Sequence, residues 1–121
     1  MDINWETHNG KNILIVDYSG IILDEDMITH LNKAVAKLKE VEKGQKLRFF
    51  SNVTGCFATP GFLEAAKRAD KELHTEYTTR SAIMGITGAK AVLLNAYNLV
   101  AKTKVVQVQS KIEALEYLSK E

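Results

Sequence analysis

Segments typical of β-strands alternate with segments typical of amphipathic helices along most of this chain. Apolar, β-branched runs at Ile13–Tyr18 and Ser81–Ile86 are each followed by apolar residues at the three-to-four-residue spacing of a helix. Parallel strands need crossover connections, which helices usually supply while packing on the sheet. The alternation therefore predicts an α/β fold with mostly parallel strands.

The first two predicted strands follow a different pattern. Ile3, Trp5 and Thr7 alternate with polar residues, and Asn9-Gly10 supplies the two residues that a tight hairpin turn requires. We therefore expect an N-terminal antiparallel hairpin. The predicted fold is a mixed, mostly parallel five-stranded sheet with this hairpin and four helices, in the order ββαβαβαβα. Residues 1–121 are expected to form a single domain.

Capping signals predict where three of the helices begin. Asp24 is expected to cap the first helix with its carboxylate, and Thr59 to cap the second, with Pro60 at the first helical position. Ser110 and Glu113 form a capping-box pattern before the last helix, in which each side chain bonds the other residue's backbone N–H.

Apolar residues in the C-terminal third predict which sides of its elements are buried. Helical spacing predicts one apolar stripe on the third helix and another on the last helix. The intervening strand at Val105–Gln109 is half polar, which favours an edge or near-edge position. The predicted stripes comprise Val92, Leu93, Ala96 and Val100 on the third helix, and Ile112, Leu115 and Leu118 on the last.

Composition excludes several classes of function. Sixteen basic residues balance 15 acidic ones, so no general attraction to nucleic acid is expected. No apolar stretch is long enough to span a bilayer, and the N-terminus lacks a signal-peptide pattern. The lone Cys56 cannot form an internal disulfide. We expect a cytoplasmic protein with no cofactor and no metal site.

Three local patterns, in their order along the chain, resemble the SpoIIAA-like, or STAS/Sec14-type, domains. They are a strand ending in Asp-Tyr-Ser-Gly at 17–20, the segment 50–55 leading to Thr59-Pro60 and a helix, and the segment 82–88 followed by a helix, a strand and a final helix. The resemblance covers nearly the whole chain. It implies a regulatory module without chemistry of its own, such as an anti-sigma-factor antagonist.

The resemblance also implies a phosphoacceptor near the start of the second helix. The family's Asp-Ser-Ser-Gly motif falls near residues 58–61, where this chain has Ala58, Thr59, Pro60 and Gly61. Pro60 occupies the position that is usually modified, so Thr59 is the only hydroxyl retained there. The Sec14 side of the resemblance implies an apolar ligand held between the sheet and the helices.

Two loops are candidate binding sites for a ligand or a partner. The first contains Asn52, Thr54, Cys56 and Thr59, where the N–H groups at the start of the second helix would favour an anion or phosphoryl group. The alternative is that Thr59 only caps the helix and the rest forms a turn.

The second candidate site is the glycine-rich turn with Gly85, Thr87, Gly88 and Lys90. Such a turn before a helix can hold a phosphate, with Lys90 adding charge, although its spacing matches neither a P-loop nor G-x-G-x-x-G. The alternative is close packing of backbone that excludes a Cβ.

Other polar residues give weaker signals. Cys56 is either a reactive thiol or a packing residue. Asp17 is either an acid–base group or the organiser of the Ser19-Gly20 turn. The three histidines, His8, His30 and His74, lie in separate elements, without the spacing of metal ligands.

Three functions compete at this point. The leading hypothesis is a module that binds a protein partner, such as a regulator or a kinase, through the segment 52–61 and the exposed side of the second helix. The second is binding of a small apolar or amphipathic ligand near four apolar side chains, Phe50, Phe57, Phe62 and Met84. The third is an enzyme that uses Cys56, Asp17 or Lys90. A homodimer formed through an edge strand is a further expectation.

Overall fold

The computed structural model describes residues 2–57 and 59–121, so Ala58, inside the predicted phosphoacceptor motif, lies outside the description. The elements follow the predicted order. They are β1 (Ile3–His8), β2 (Lys11–Asp17), α1 (Asp24–Leu38), β3 (Lys46–Asn52), α2 (Pro60–Leu73), β4 (Thr78–Met84), α3 (Ala89–Val100), β5 (Val105–Val108) and α4 (Lys111–Leu118).

The five strands form one sheet in the order β1-β2-β3-β4-β5. Strands β1 and β2 pair antiparallel, and the other three pairs are parallel, which confirms the predicted mixed sheet. Because the parallel strands follow one another in sequence order, right-handed crossovers place α1, α2 and α3 on the same face. Helix α4 follows the last strand and covers the opposite face.

Strand β2 is buried on both faces and separates two hydrophobic cores. Leu14 and Val16 belong to the core beneath α1 and α2. Ile13 and Ile15 belong to the core beneath α4. All four side chains are at least nine-tenths buried, which explains why this strand has a continuous apolar run instead of an alternating one.

The hairpin turn between β1 and β2 has the predicted conformation. Asn9 has φ 51° and Gly10 has φ 77°, so both residues of the two-residue loop adopt the left-handed backbone. That geometry matches the twist of the flanking antiparallel strands. The edge or near-edge position predicted for β5 is also confirmed, since β5 is the last strand of the sheet, beside β4.

The predicted cap of α2 is present in the structure, whereas the predicted cap of α1 is not. Thr59 caps α2 as expected, and its hydroxyl accepts from the Phe62 N–H at 3.2 Å. Helix α1, however, is preceded by Leu23 and has no side-chain cap. Asp24 is the first residue of the helix and not its N-cap, and its carboxylate accepts the Thr59 hydroxyl.

The capping box of α4 is only half formed. Ser110 accepts from the Glu113 N–H at 3.1 Å, as predicted. The Glu113 carboxylate accepts from the Gln109 N–H at 3.0 Å, one residue earlier than expected. The helix start was therefore correctly predicted, although one of its two bonds was not.

Both predicted apolar stripes are partly wrong. Val92 and Val100 of α3 are 69% and 63% exposed, and Ile112 of α4 is 74% exposed. Helix α3 is apolar around most of its circumference, so the sequence alone did not show which side faces the sheet. Its inner side carries Leu93, Leu94 and Tyr97.

No helix among the described residues is long and apolar enough to cross a membrane.

Candidate functional site

The loop between β3 and α2 is organised by Asn52. Its side-chain oxygen accepts from the Thr54 N–H at 3.1 Å and from the Thr54 hydroxyl at 2.7 Å. Asparagine often forms this type of turn with the residue two positions on. Both predicted site residues thus bond to each other and hold the loop in shape.

The Thr59 hydroxyl is used within the protein both as a hydrogen-bond donor and as an acceptor. Its hydroxyl accepts from the Phe62 N–H and donates to the Asp24 carboxylate. The same carboxylate lies over Gly61, where an added Cβ would be 2.8 Å from Asp24 Oδ2. The amino end of α2 therefore already faces a carboxylate of this chain, in the position where an external anion was predicted to bind.

The glycine-rich turn between β4 and α3 packs against the first loop. Gly85 has φ 95°, and a Cβ added there would overlap the backbone of Thr54. The neighbouring Val53 N–H donates to the Met84 carbonyl at 2.9 Å. Gly85 is thus needed for a close approach of two backbones. Thr87 and Gly88 lie further out and are exposed.

Lys90 and Cys56 lie where the two loops meet. Lys90 Nζ donates to the Val53 carbonyl at 2.9 Å. The Cys56 thiol is buried and donates to the Tyr18 carbonyl at 2.7 Å. Burial raises the pKa of Cys56, and the nearby Lys90 only partly opposes that effect. The thiol therefore stays protonated near neutral pH, which disfavours its use as a nucleophile.

The other candidate residues have structural contacts. The Asp17 carboxylate accepts from the Ser19 N–H at 2.8 Å and organises that turn, as the simpler interpretation predicted. His30 is buried beside the Tyr18 ring, and its Nε2 has no hydrogen-bond partner among the described residues. Within the same residues, no group of three or more potential metal ligands occurs.

The two predicted loops therefore form one surface at the carboxyl ends of β2, β3 and β4. Three large apolar side chains are exposed in the loops at this edge: Ile22 at 65% and Leu23 at 53% in the β2–α1 loop, and Phe57 at 68% in the β3–α2 loop. Leu23 precedes Asp24, which contacts Thr59, and Phe57 comes two residues before Thr59. We call the three side chains the edge patch. Of these three side chains, only Phe57 was a candidate from the sequence.

An apolar cavity of about 140 Å³ lies between the sheet and helices α1, α2 and α3. Aliphatic and aromatic side chains form most of its wall, including Met27, Leu31 and Phe62. A few polar groups also line the cavity: Ser51, Cys56, Thr59, Asp70, Ser81, Lys90 and Tyr97. The cavity reaches from the loop edge to the far end of α2.

The apolar cluster predicted from sequence does not form around this cavity. Only Phe62 lines it. Phe50 and Met84 pack in the core on the opposite side of the sheet, and Phe57 is exposed. Side chains alternate between the two faces along a strand, and both Phe50 and Met84 occupy positions that face α4.

A polar cluster at the far end of the cavity was missed by sequence analysis. His74 Nδ1 lies 2.9 Å from the Asp70 carbonyl and 3.3 Å from its carboxylate. His74 Nε2 lies 3.3 Å from the hydroxyls of Thr79 and Thr103. Burial, and then the Asp70 carboxylate, raise the pKa of Tyr97 above its ordinary value. The four-residue spacing of Asp70 and His74 was visible in the sequence, but the other contacts are tertiary.

Comparison with known proteins identifies the fold. The chain superimposes on a solved anti-sigma-factor antagonist (STAS) domain protein from Planctomyces limnophilus, with a TM-score of 0.60 and 16% sequence identity over 98% of both chains. No protein-family model matches the sequence, and no curated protein matches it significantly. The predicted STAS-type fold is confirmed by this likeness.

Proposed function

We propose that this chain is a non-catalytic regulatory module that binds a protein partner through its loop edge, as STAS anti-sigma-factor antagonist domains do. The observation that carries the proposal is the edge patch. Exposed apolar side chains grouped together on a protein surface usually mark an interaction site. Phe57 lies within the segment 52–61, which the sequence pattern independently favoured, and Leu23 precedes Asp24, which contacts Thr59.

The chemistry of the same edge supports a binding role over a catalytic one. The Cys56 thiol has a raised pKa and donates to a backbone carbonyl. Asp17 accepts from the Ser19 N–H in its own turn, and Lys90 donates to the Val53 carbonyl of the neighbouring loop. A catalytic site needs titratable groups positioned to reach a substrate, whereas these groups are occupied in maintaining the loops.

Site-specific photo-crosslinking tests the protein-binding proposal. A photoreactive phenylalanine analogue replaces Phe57, and the matched control carries it at Ile112, which is similarly exposed on the opposite face. In cells of the source organism, we expect one dominant protein adduct at position 57 and none at 112. Equal labelling at both positions, or no adduct at 57, would contradict the proposal.

Thr59 is the proposed phosphoacceptor of this module. Because its hydroxyl meets the Asp24 carboxylate, a phosphoryl group there would bring two negative charges together and change the loop edge. Intact-mass measurement of protein purified from its source tests this idea. A phosphoryl group found on the wild type and absent from Thr59→Val supports it, and an unmodified wild type contradicts it.

A second candidate function is binding of a small apolar or amphipathic ligand, and the cavity favours it. An apolar cavity of similar size can stay dry and bind a molecule such as benzene. A thermal-shift series with benzene, indole and short fatty acids tests this function. Stabilisation of the wild type that disappears in Ala66→Leu, which fills the cavity wall, supports it. No shift with any probe, or an unchanged shift in Ala66→Leu, contradicts it.

Self-association is a further part of the proposal. Strands β1 and β5 are the two edges of the sheet, where unpaired backbone groups can add another strand. Light scattering at several protein concentrations tests it, because a dimer through either strand would raise the apparent mass as concentration increases. A constant monomer mass would contradict it.

A further inference from the structure

The outward side of α3 carries exposed apolar side chains and no charged residue. Val92, Leu99 and Val100 are 69%, 86% and 63% exposed, and they fall on one side of the helix at helical spacing. They cover about 12 Å along the helix axis. The inner side of α3 is also apolar, and a helix that is hydrophobic all round normally has cover on every side. The outer cover is therefore missing from the isolated chain.

The charged residues within α3 and directly after it, Lys90, Lys102 and Lys104, are all basic. Between Tyr77 and Ile112 the sequence has five basic residues and no Asp or Glu. Lys102 and Lys104 follow α3 directly and are exposed. Lys71, at the end of α2, is next to Asp70, whose carboxylate accepts from the Lys102 N–H at 3.4 Å. Exposed lysines at the end of an apolar helix face suit a negatively charged partner.

Several lysines elsewhere on the molecule are paired with glutamates. Lys11, Lys39, Lys43 and Lys111 each form an ion pair with a glutamate. In the part of the chain that the structure describes, Lys71, Lys102 and Lys104 have no such pair. Their charges are free to attract an anionic surface, and the overall charge balance of the chain conceals this local excess.

We propose that α3 is a peripheral membrane-binding helix whose outward apolar side inserts into the interface of an anionic lipid bilayer. Val92, Leu99 and Val100 would supply the apolar contact, and Lys71, Lys102 and Lys104 would attract lipid phosphates. The composition favours lipid over protein, since protein interfaces are enriched in aromatic residues and arginine and are depleted of lysine. The proposal concerns a different surface from the edge patch and is independent of the protein-binding function.

Vesicle co-sedimentation of the full chain tests the proposal. We expect binding to vesicles of phosphatidylcholine with phosphatidylglycerol, weakening as salt rises, and little binding to phosphatidylcholine alone. The double substitution Lys102→Gln/Lys104→Gln should reduce binding roughly thirty-fold, because each lysine near an anionic surface contributes about 1 kcal/mol. Leu99→Ser should reduce it roughly ten-fold through lost apolar contact.

Matched controls separate this surface from general charge and hydrophobicity. Lys33→Gln/Lys120→Gln removes the same charge from exposed positions elsewhere, and Ile112→Ser removes an exposed apolar side chain from the opposite face. Both controls should bind nearly as the wild type does. Equal losses in controls and α3 variants, salt-independent binding, or no binding of the wild type would overturn the proposal. So would a homodimer that only the α3 variants lose, because a second copy would then cover the helix.

Discussion

Helices α3 and α4 lie on opposite faces of the same sheet and are held there in opposite ways. Helix α4 completely buries Ala114 and Leu118, and the Arg48 guanidinium donates to the carbonyls of Leu118 and Lys120 at 2.7 and 2.6 Å. Helix α3 has no buried residue and no side-chain cap at its start. We infer that α4 mainly stabilises the fold. Helix α3 mainly provides binding surface, on its inner side toward the cavity and on its outer side toward solvent.

The ends of α3 show how it stays in place without deep burial. At its start, Lys90 bonds to the Val53 carbonyl. At its end, the Asn98 side chain bonds to both backbone groups of Val105, at 2.9 and 3.2 Å. Polar contacts at the two ends can position a helix precisely while the space beneath its middle is incompletely filled. The comparison with α4 therefore predicts different responses to the same kind of substitution.

The largest expected difference is between matched leucine truncations. Leu118→Ala, in the fully packed face, should lower the free energy of unfolding by about 3 kcal/mol. Leu94→Ala, on the cavity side of α3, should cost about 1 kcal/mol, since its side chain is only half-buried and borders existing space. Urea denaturation measures both. Equal losses in the free energy of unfolding for the two variants would contradict the proposed difference between α4 and α3.

Filling substitutions should show the reverse asymmetry. Ala114→Leu adds volume where no space exists and should destabilise the protein by about 2 kcal/mol. Ala66→Leu extends into the cavity and should be neutral or stabilising by about 1 kcal/mol. Thermal melts of the two variants check the signs. A strongly destabilised Ala66→Leu would mean that the cavity side is as tightly packed as the α4 side.

Alkaline pH should weaken the cavity side. Burial raises the pKa values of Tyr18, Cys56 and Tyr97, and all three line the cavity. The unfolded chain then loses these protons at lower pH than the folded protein does. Their contribution is therefore fully present below about pH 8 and is lost as pH rises further.

Stability measured from about pH 8 to pH 11 in urea tests this sign. Tyr18→Phe/Tyr97→Phe should lose less stability over that range than the wild type does, because two of the ionising groups are gone. A double variant with the same pH dependence as the wild type would show that these phenols are not the cause.

The smallest expected effect is at His30. Its Nε2 is buried without a partner among the described residues, and such an atom costs free energy that an apolar side chain of similar size avoids. His30→Leu should therefore change the free energy of unfolding by no more than about 1 kcal/mol, in the stabilising direction. Chemical denaturation measures it. A clear loss of stability would show that the imidazole makes a favourable contact that packing alone does not explain.

The order of elements and the type of sheet were predictable because apolar periodicity and turn residues are local signals. The hairpin at Asn9-Gly10 and the cap at Thr59 belong to this group. The outward side of α3 was not predictable. Its apolar residues surround the helix, so only the position of the sheet decides that Leu93 and Leu94 face inward while Val92 and Val100 face solvent.

The candidate site was only partly predictable for a related reason. The two loops were identified separately, and their shared edge follows from parallel strands ending together. The hydrogen bond between Thr59 and Asp24 connects residues 35 positions apart, and the cavity is lined by residues of three helices and the sheet. Interactions of this kind depend on packing between elements, so the spacing of residues along the sequence does not predict them.

Hydrogen–deuterium exchange along α3 and α4 tests the central contrast most directly. Amides of α4 should exchange only with global unfolding, whereas those in the middle of α3 should exchange through local opening and more than ten-fold faster, a ratio equivalent to at least about 1.4 kcal/mol of stability. Equal protection of the two helices would contradict the claim that α3 is held mainly at its ends, above an incompletely filled cavity.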